Sequence, residues 1–285
     1  MTSETVVVHR GHGLPFSKGL TAQTLSATGV GPERAFELAR LVERRLGLEG
    51  LRRIDIAKLH ALTEEVVLAE EGEAAARRLR DWRRLDRLER PLVVLIGGTT
   101  GVGKSTLATM LAARLGITRV IASDTVRQVL RAFFTHDAMP SVQRSAFEAG
   151  GIDGFREQAV HVEVGTAAIV ARSCSEGQPV LLEGIHVVPG ALPEAVREAC
   201  VVVEALVTVS DEELHRGHFS LRRGRPPGRY LSGFGEIRRL QEHLVGCALA
   251  AGVPVIDNSD AHATLGRLMG LVLDAVARSG ARQAR

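Results

Sequence analysis

Residues 92–107 read LVVLIGGTTGVGKSTL. Five consecutive apolar residues, Leu92 to Ile96, running into glycines predict a buried strand that ends in a tight turn. Leu107, Leu111 and Leu115 follow at i, i+4 and i+8, one face of a helix. Between strand and helix, Gly98-Thr99-Thr100-Gly101-Val102-Gly103-Lys104-Ser105 matches GxxxxGK[ST] without a gap. Glycines let the backbone curl so that successive N–H groups aim at phosphate oxygens, and the helix N-terminus adds positive dipole. On this reading the loop from Gly98 to Thr106 holds the phosphates of ATP. Lys104 reaches the β- and γ-phosphates, and the Ser105 hydroxyl is a ligand for Mg²⁺.

Working outward, VIASD (120–124), PVLLEG (179–184), ACVVVEALVTVSD (199–211) and VPVIDN (253–258) read as further short strands, most of them separated by helical patterns such as 155–176. Such alternation implies an α/β fold: a P-loop unit with a five-stranded parallel sheet and helices on both faces. It is expected to span residues 89–285. The charged run RDWRRLDRLERP (80–91) closes with Pro91 and marks a boundary. Residues 1–88 are expected to form a small, mostly helical domain. VVVHR (6–10) is its strand and GHGLPFSKG (11–19) a turn-rich loop. One helix face carries Ala35, Leu38, Ala39, Val42 and Leu46 with Gly47 near its end, and a second helix carries Ala75, Leu79 and Trp82.

In an open α/β sheet the ligands gather at the carboxyl ends of the strands. Asp124, Glu183 and Asp257 close the second, third and fifth predicted strands. Asp124 is the candidate that accepts or orients the proton of an acceptor hydroxyl, with Arg127 one turn further on. Glu183 is a second candidate acid–base group or Mg²⁺ ligand. His186 in EGIHVVPG is a candidate contact for substrate phosphate. Residues 216–239 hold seven arginines, interrupted by Pro226-Pro227-Gly228. A loop of this kind between helical flanks, spanning roughly 212–240, reads as a lid. Arg222, Arg225 and Arg229 are best placed to fork onto anions and exclude water.

Composition narrows the classes. The chain has 285 residues, 45% hydrophobic and 24% charged, with a net charge of +3. That describes a globular protein without wholesale disorder. No apolar run approaches a membrane span and the start shows no signal-peptide pattern, so a cytoplasmic protein is expected. Three scattered cysteines exclude a disulfide framework. Basic residues are spread along the chain, and only Phe219, Tyr230 and Phe234 accompany the arginine-rich segment. Nucleic acid is therefore not an expected partner. Spacing alone leaves open a kinase of one or another small anionic metabolite, or an ATP-binding regulator without an acceptor.

IGGTTGVGKST (96–106), ASDTVR (122–127), PSVQRSAFEAG (140–150), LLEGIHVVPG (181–190), HRGHFSLRR (215–223) and VPVIDNSD (253–260), in that order, resemble the 2-phosphoglycerate kinases, a family of P-loop small-metabolite kinases. PFSKG (15–19) and the helices behind it resemble the beginning of an ATP-cone domain, although His9-Arg10-Gly11-His12 departs from the basic pattern expected there. The resemblance implies phosphorylation of a phosphorylated hydroxy acid, 2-phosphoglycerate, at its 3-hydroxyl, giving 2,3-bisphosphoglycerate and ADP.

Overall fold

The computed structural model describes residues 5–9, 11–85, 88–220 and 228–283. The chain divides into two compact units: one comprises residues up to Arg87 together with Val276 onward, the other Leu88–Ala275. The C-terminal stretch thus falls with the first unit, where the sequence reading placed it with the second.

The first unit contains β1 (Val6–His9), β2 (His12–Pro15), α1 (Lys18–Ala27), α2 (Pro32–Leu48), β3 (Arg53–Asp55), α3 (Ile56–Glu71) and α4 (Glu73–Arg84). β1 pairs antiparallel with β2 and parallel with β3. The predicted loop at 11–19 is therefore a hairpin arm and a helix start. Gly11, at φ +84°, supplies the turn, and the Ser17 hydroxyl caps α1. Ala35, Leu38, Ala39, Val42 and Leu46 are all buried along α2, as their spacing predicts. That helix runs through Gly47 to Leu48, and the left-handed turn falls at Gly50 (φ +64°). Ala35, Leu38, Val42 and Leu46 form one core with Leu59, Leu62, Val66, Val67, Ala75 and Leu79.

The second unit begins with β4 (Leu92–Gly97) and α5 (Lys104–Leu115), followed by β5 (Val120–Ala122), α6 (Ser123–Phe133), α7 (Pro140–Gln143), α8 (Gly151–Ser175) and β6 (Val180–Gly184). It continues with α9 (Glu194–Ala199), β7 (Val201–Thr208), α10 (Glu212–Ser220), α11 (Gly228–Ser232), α12 (Phe234–Ala251), β8 (Val255–Asp257) and α13 (Ala261–Gln283), whose last turns belong to the first unit. The sheet order is β5-β6-β4-β7-β8, every pair parallel. All five predicted strands are present. β4 is central and buried along its whole length, which is why it reads as a continuous apolar run. Val93, Leu95, Val180 and Leu182 pack with Val170 of α8 on one face, while Val94 and Ile96 alternate to the other. α12 contributes Ile237, Leu240 and Leu244 to a second cluster with Phe155, Leu206 and Phe219. No helix among the described residues is long and apolar enough to cross a membrane.

Candidate active site

β4 delivers the chain at the centre of the sheet, and the phosphate loop turns there. Gly98, Gly101 and Gly103 have φ of +145°, +92° and +86°. A Cβ at Gly98 would lie 2.3 Å from the Val207 carbonyl oxygen, and one at Gly103 2.6 Å from Asn258 Nδ2. Glycine is therefore required by both conformation and space. Val102 is fully buried and anchors the loop in the core. Lys104 opens α5, and its ammonium donates to Thr99 O at 2.8 Å. The Ser105 hydroxyl donates to Glu183 Oε1, also at 2.8 Å, which ties the loop to the end of β6.

Four successive loop carbonyls are occupied. Besides Lys104 on Thr99 O, His215 Nε2 donates to Thr100 O (2.9 Å), His218 Nδ1 to Gly101 O (2.8 Å) and Asn258 Nδ2 to Val102 O (2.9 Å). A carbonyl can only accept, so these contacts fix the imidazole tautomers. A trans peptide sets its C=O and N–H on opposite sides. Holding the carbonyls by flanking side chains thus turns the N–H groups of residues 100–103 the other way, where an anion would sit. Phe219 closes on Gly101, where a Cβ would come within 2.5 Å of the ring. Burial keeps the His215 pKa below its usual value, so this donor stays neutral. His215, His218 and Asn258 escaped the reading of the sequence as loop supports. HRGHF and IDN are their only trace in it.

The acceptor side is built from α6. β5 stops at Ala122, so Asp124, read as the last residue of this strand, stands instead in the first turn of α6. Its carboxylate receives Arg127 Nε at 2.8 Å. Arg127 is buried and its Nη1 also donates to Val142 O and Arg144 O. The guanidinium read as a substrate contact positions Asp124 and pins the 142–144 segment. His186 too lies elsewhere than predicted. It is 2% exposed, with Nε2 on Gln158 Oε1 (2.8 Å) and Nδ1 on Ser123 Oγ (3.2 Å). Gln158 Nε2 donates to Ser141 O and Arg144 O, so its Oε1 must accept from His186, and Ser123 donates to the other ring nitrogen. His186 is a neutral strut joining the loop after β6 to α6 and α8, both ring nitrogens engaged. Asp257 is likewise engaged, accepting from the Ser210 amide.

Burial pushes the His186 pKa down to about 4. Unfolding would restore an ordinary imidazole near 6.5, so this group contributes stability above about pH 6.5 that is lost as pH falls toward 4. The two values differ by an amount worth about 3 kcal/mol at most. His186→Gln is expected to flatten the stability–pH curve in that window. Chemical denaturation of both proteins from pH 7.5 to 4 checks it, and parallel curves would refute it.

The described arginines of the 216–239 segment are engaged within the fold. Arg229 forks onto Glu148 and touches Ser145 Oγ, which holds the Glu148 carboxyl down to about 2. Arg238 donates to the carbonyls of Val209 and Ser210. Arg216 lies over the Phe234 ring at 3.9 Å, and Arg239 pairs with Glu236. Arg222 and Arg225 lie outside the described residues. Phe219, Tyr230 and Phe234 are buried together, Phe219 stacking on Tyr230 at 5.3 Å, so none offers a face to a nucleobase of a bound strand.

These donors fit a magnesium nucleotide. Ser105 and Glu183 offer hard oxygens, and with its proton on Glu183 the Ser105 oxygen keeps lone pairs for a cation that retains most of its waters. No group of three or more His, Cys, Asp or Glu suited to hold a metal by protein ligands alone occurs among the described residues. Such a cation would supply charge neutralisation between nucleotide phosphates.

No family model matches the chain. The 2-phosphoglycerate kinase of Methanopyrus kandleri is 35% identical to it over 93% of this chain and 86% of the relative. That of Methanothermobacter thermautotrophicus is 32% identical over 95% and 94%, and that of Pyrococcus horikoshii 34% over 90% and 89%. Among solved structures, a gluconokinase from Sinorhizobium meliloti aligns with a TM-score of 0.41 at 15% identity, over 68% of this chain and 98% of that one. A shikimate kinase from Acinetobacter baumannii in complex with shikimate aligns at 0.42 and 19%, over 66% and 96%. The sequence relatives, matched across nearly the whole chain, decide the assignment: the chain belongs to the 2-phosphoglycerate kinase family, and it is a phosphotransferase built on a P-loop.

Proposed function

We propose that the protein transfers the γ-phosphoryl group of ATP to the 3-hydroxyl of 2-phosphoglycerate, giving 2,3-bisphosphoglycerate and ADP. The observation that carries this reading is a complete phosphate loop at the carboxyl edge of the central strand, with an arginine-held carboxylate, Asp124, at the start of the helix after the next strand. The names of the relatives supply the acceptor. In this mechanism the loop amides of residues 98–106 and Lys104 grip the phosphates, while Ser105, backed by Glu183, faces Mg²⁺. Asp124 orients the acceptor hydroxyl and takes its proton. Arg127 holds Asp124 in place, and Arg222 and Arg225, outside the described residues, would bind the acceptor's phosphate and carboxylate. The oxygen attacks γ-phosphorus in line as the bond to the β-phosphate oxygen breaks. Catalysis comes from positioning and charge neutralisation. Residues 1–88 form an ATP-cone-like domain. All three cysteines are free thiols, which suits the reducing cytoplasm where such metabolites occur.

ADP release with 2-phosphoglycerate, 3-phosphoglycerate, glycerate and no acceptor tests the assignment. Turnover should be at least about tenfold faster with 2-phosphoglycerate, a discrimination of about 1.4 kcal/mol. Equal rates without acceptor would instead mark an ATPase.

A further inference from the structure

Three main-chain carbonyls between Ser141 and Arg144 accept from buried side chains. Arg127 Nη1 donates to Val142 O (3.1 Å) and Arg144 O (3.0 Å), and Gln158 Nε2 donates to Ser141 O and to the same Arg144 O (3.0 Å). The links close into a ring: Arg127 Nε holds Asp124, its neighbour Ser123 meets His186, and His186 meets Gln158. Ser123, Arg127, Gln158 and His186 are all buried. A buried polar network with its members satisfied rigidifies what it joins. This one joins the main chain at residue 144 to the Asp124 carboxylate, each bound by a different nitrogen of one guanidinium.

The Arg144 side chain takes no part in the ring. The backbone there is extended (φ −97°, ψ 162°), the residue is exposed, and its guanidinium has no hydrogen bond or ion pair among the described residues. Two carboxylates of this region are already paired, Asp124 with Arg127 and Glu148 with Arg229. The fold thus holds an unpaired cation on pinned backbone, one guanidinium away from Asp124, a distance its own side chain can cross. A molecule that seats a hydroxyl on Asp124 brings the atoms a few bonds further on within reach of it. We propose that Arg144 is a specificity-determining residue of the acceptor site: its guanidinium forks onto the anionic group that the acceptor carries beside the reacting hydroxyl. Phosphate and carboxylate both fit such a fork. The proposal rests on the acceptor reading given above and deepens it by naming, within the described residues, the cation that reads the acceptor's charge.

Arg144→Gln tests this without disturbing the ring, because the contacts to residue 144 are made by its carbonyl, which glutamine keeps. Steady-state kinetics and calorimetric binding of 2-phosphoglycerate are measured on the full-length protein, Arg144→Gln and Arg144→Lys at one ionic strength. Arg144→Gln should raise the KM for 2-phosphoglycerate and weaken its binding at least about tenfold, while the KM for ATP stays within about twofold. Arg144→Lys should recover part of the loss, since the charge remains and the fork is gone. Binding of glycerol 2-phosphate, which lacks the carboxylate, and of glycerate, which lacks the phosphate, identifies the group: the ligand that Arg144→Gln weakens carries it. Unchanged affinity for 2-phosphoglycerate in Arg144→Gln overturns the proposal. An equal loss of ATP affinity overturns it too, since the side chain would then only support the fold. If the unsubstituted protein neither binds nor turns over 2-phosphoglycerate, the acceptor reading itself fails and this proposal falls with it.

Discussion

Lys104→Ala is expected to lower phosphoryl transfer at least about 10²–10³-fold, the loss seen when one preorganised donor to a developing charge is removed. Lys104 is the one ammonium in the phosphate loop, and it sits at the first turn of α5, where dipole and charge add. The structure shows 8% exposure and a bond to Thr99 O. Alanine therefore also strips a buried carbonyl of its donor, at about 1 kcal/mol or somewhat more in stability. The two effects separate readily: a thermal melt reads the second, and single-turnover transfer with saturating ATP reads the first. Lys104→Arg should not rescue. The wider planar guanidinium cannot place a compact point charge where the ammonium sits. Transfer within tenfold of the unsubstituted enzyme, in a folded Lys104→Ala protein, would remove the loop from the chemistry.

The features legible in the sequence share one property: the residues that define them are neighbours in the chain. β4, the loop and α5 follow one another without interruption, and β6 and β7 are mostly apolar runs, each interrupted by a single glutamate. β3 has three residues, two of them charged, and β2 reads HGLP, so neither shows alternation or an apolar run; their pairing with β1 creates them. The supports of the phosphate loop were invisible for a related reason. His215 and Asn258 reach backbone carbonyls 115 and 156 residues away, and a carbonyl leaves no mark in a sequence. The same holds for Arg127, whose further acceptors are the carbonyls of Val142 and Arg144, and for Arg229, whose carboxylate partner lies 81 residues earlier. An arginine read in isolation looks available for substrate. Only the fold shows which arginines already hold the protein together.

Asp124→Asn is expected to reduce kcat about 10²–10⁴-fold while the KM for ATP stays within about threefold, because general-base assistance is lost and phosphate binding is not. The substitution is conservative where it needs to be. Asparagine has the same size, is tolerated at a helix start, and its Oδ1 can still receive Arg127 Nε, so the α6 entrance and the 142–144 segment should keep their places. What asparagine cannot do is take a proton. Glu183 is the rival base at the sheet edge, and the two can be told apart. Glu183 is 7% exposed and accepts the Ser105 hydroxyl, so Glu183→Gln should act through the metal, raising the Mg²⁺ concentration needed for half-maximal rate. Asp124→Asn should leave that requirement unchanged and depress the rate even at saturating Mg²⁺. Arg127→Lys belongs with Asp124: losing the fork that joins the carboxylate to two carbonyls should lower kcat less than Asp124→Asn does, again without shifting the Mg²⁺ dependence. Near-normal turnover of Asp124→Asn, coupled with a collapse in Glu183→Gln that no Mg²⁺ concentration restores, would exchange the two roles and make Asp124 a helix-start residue only.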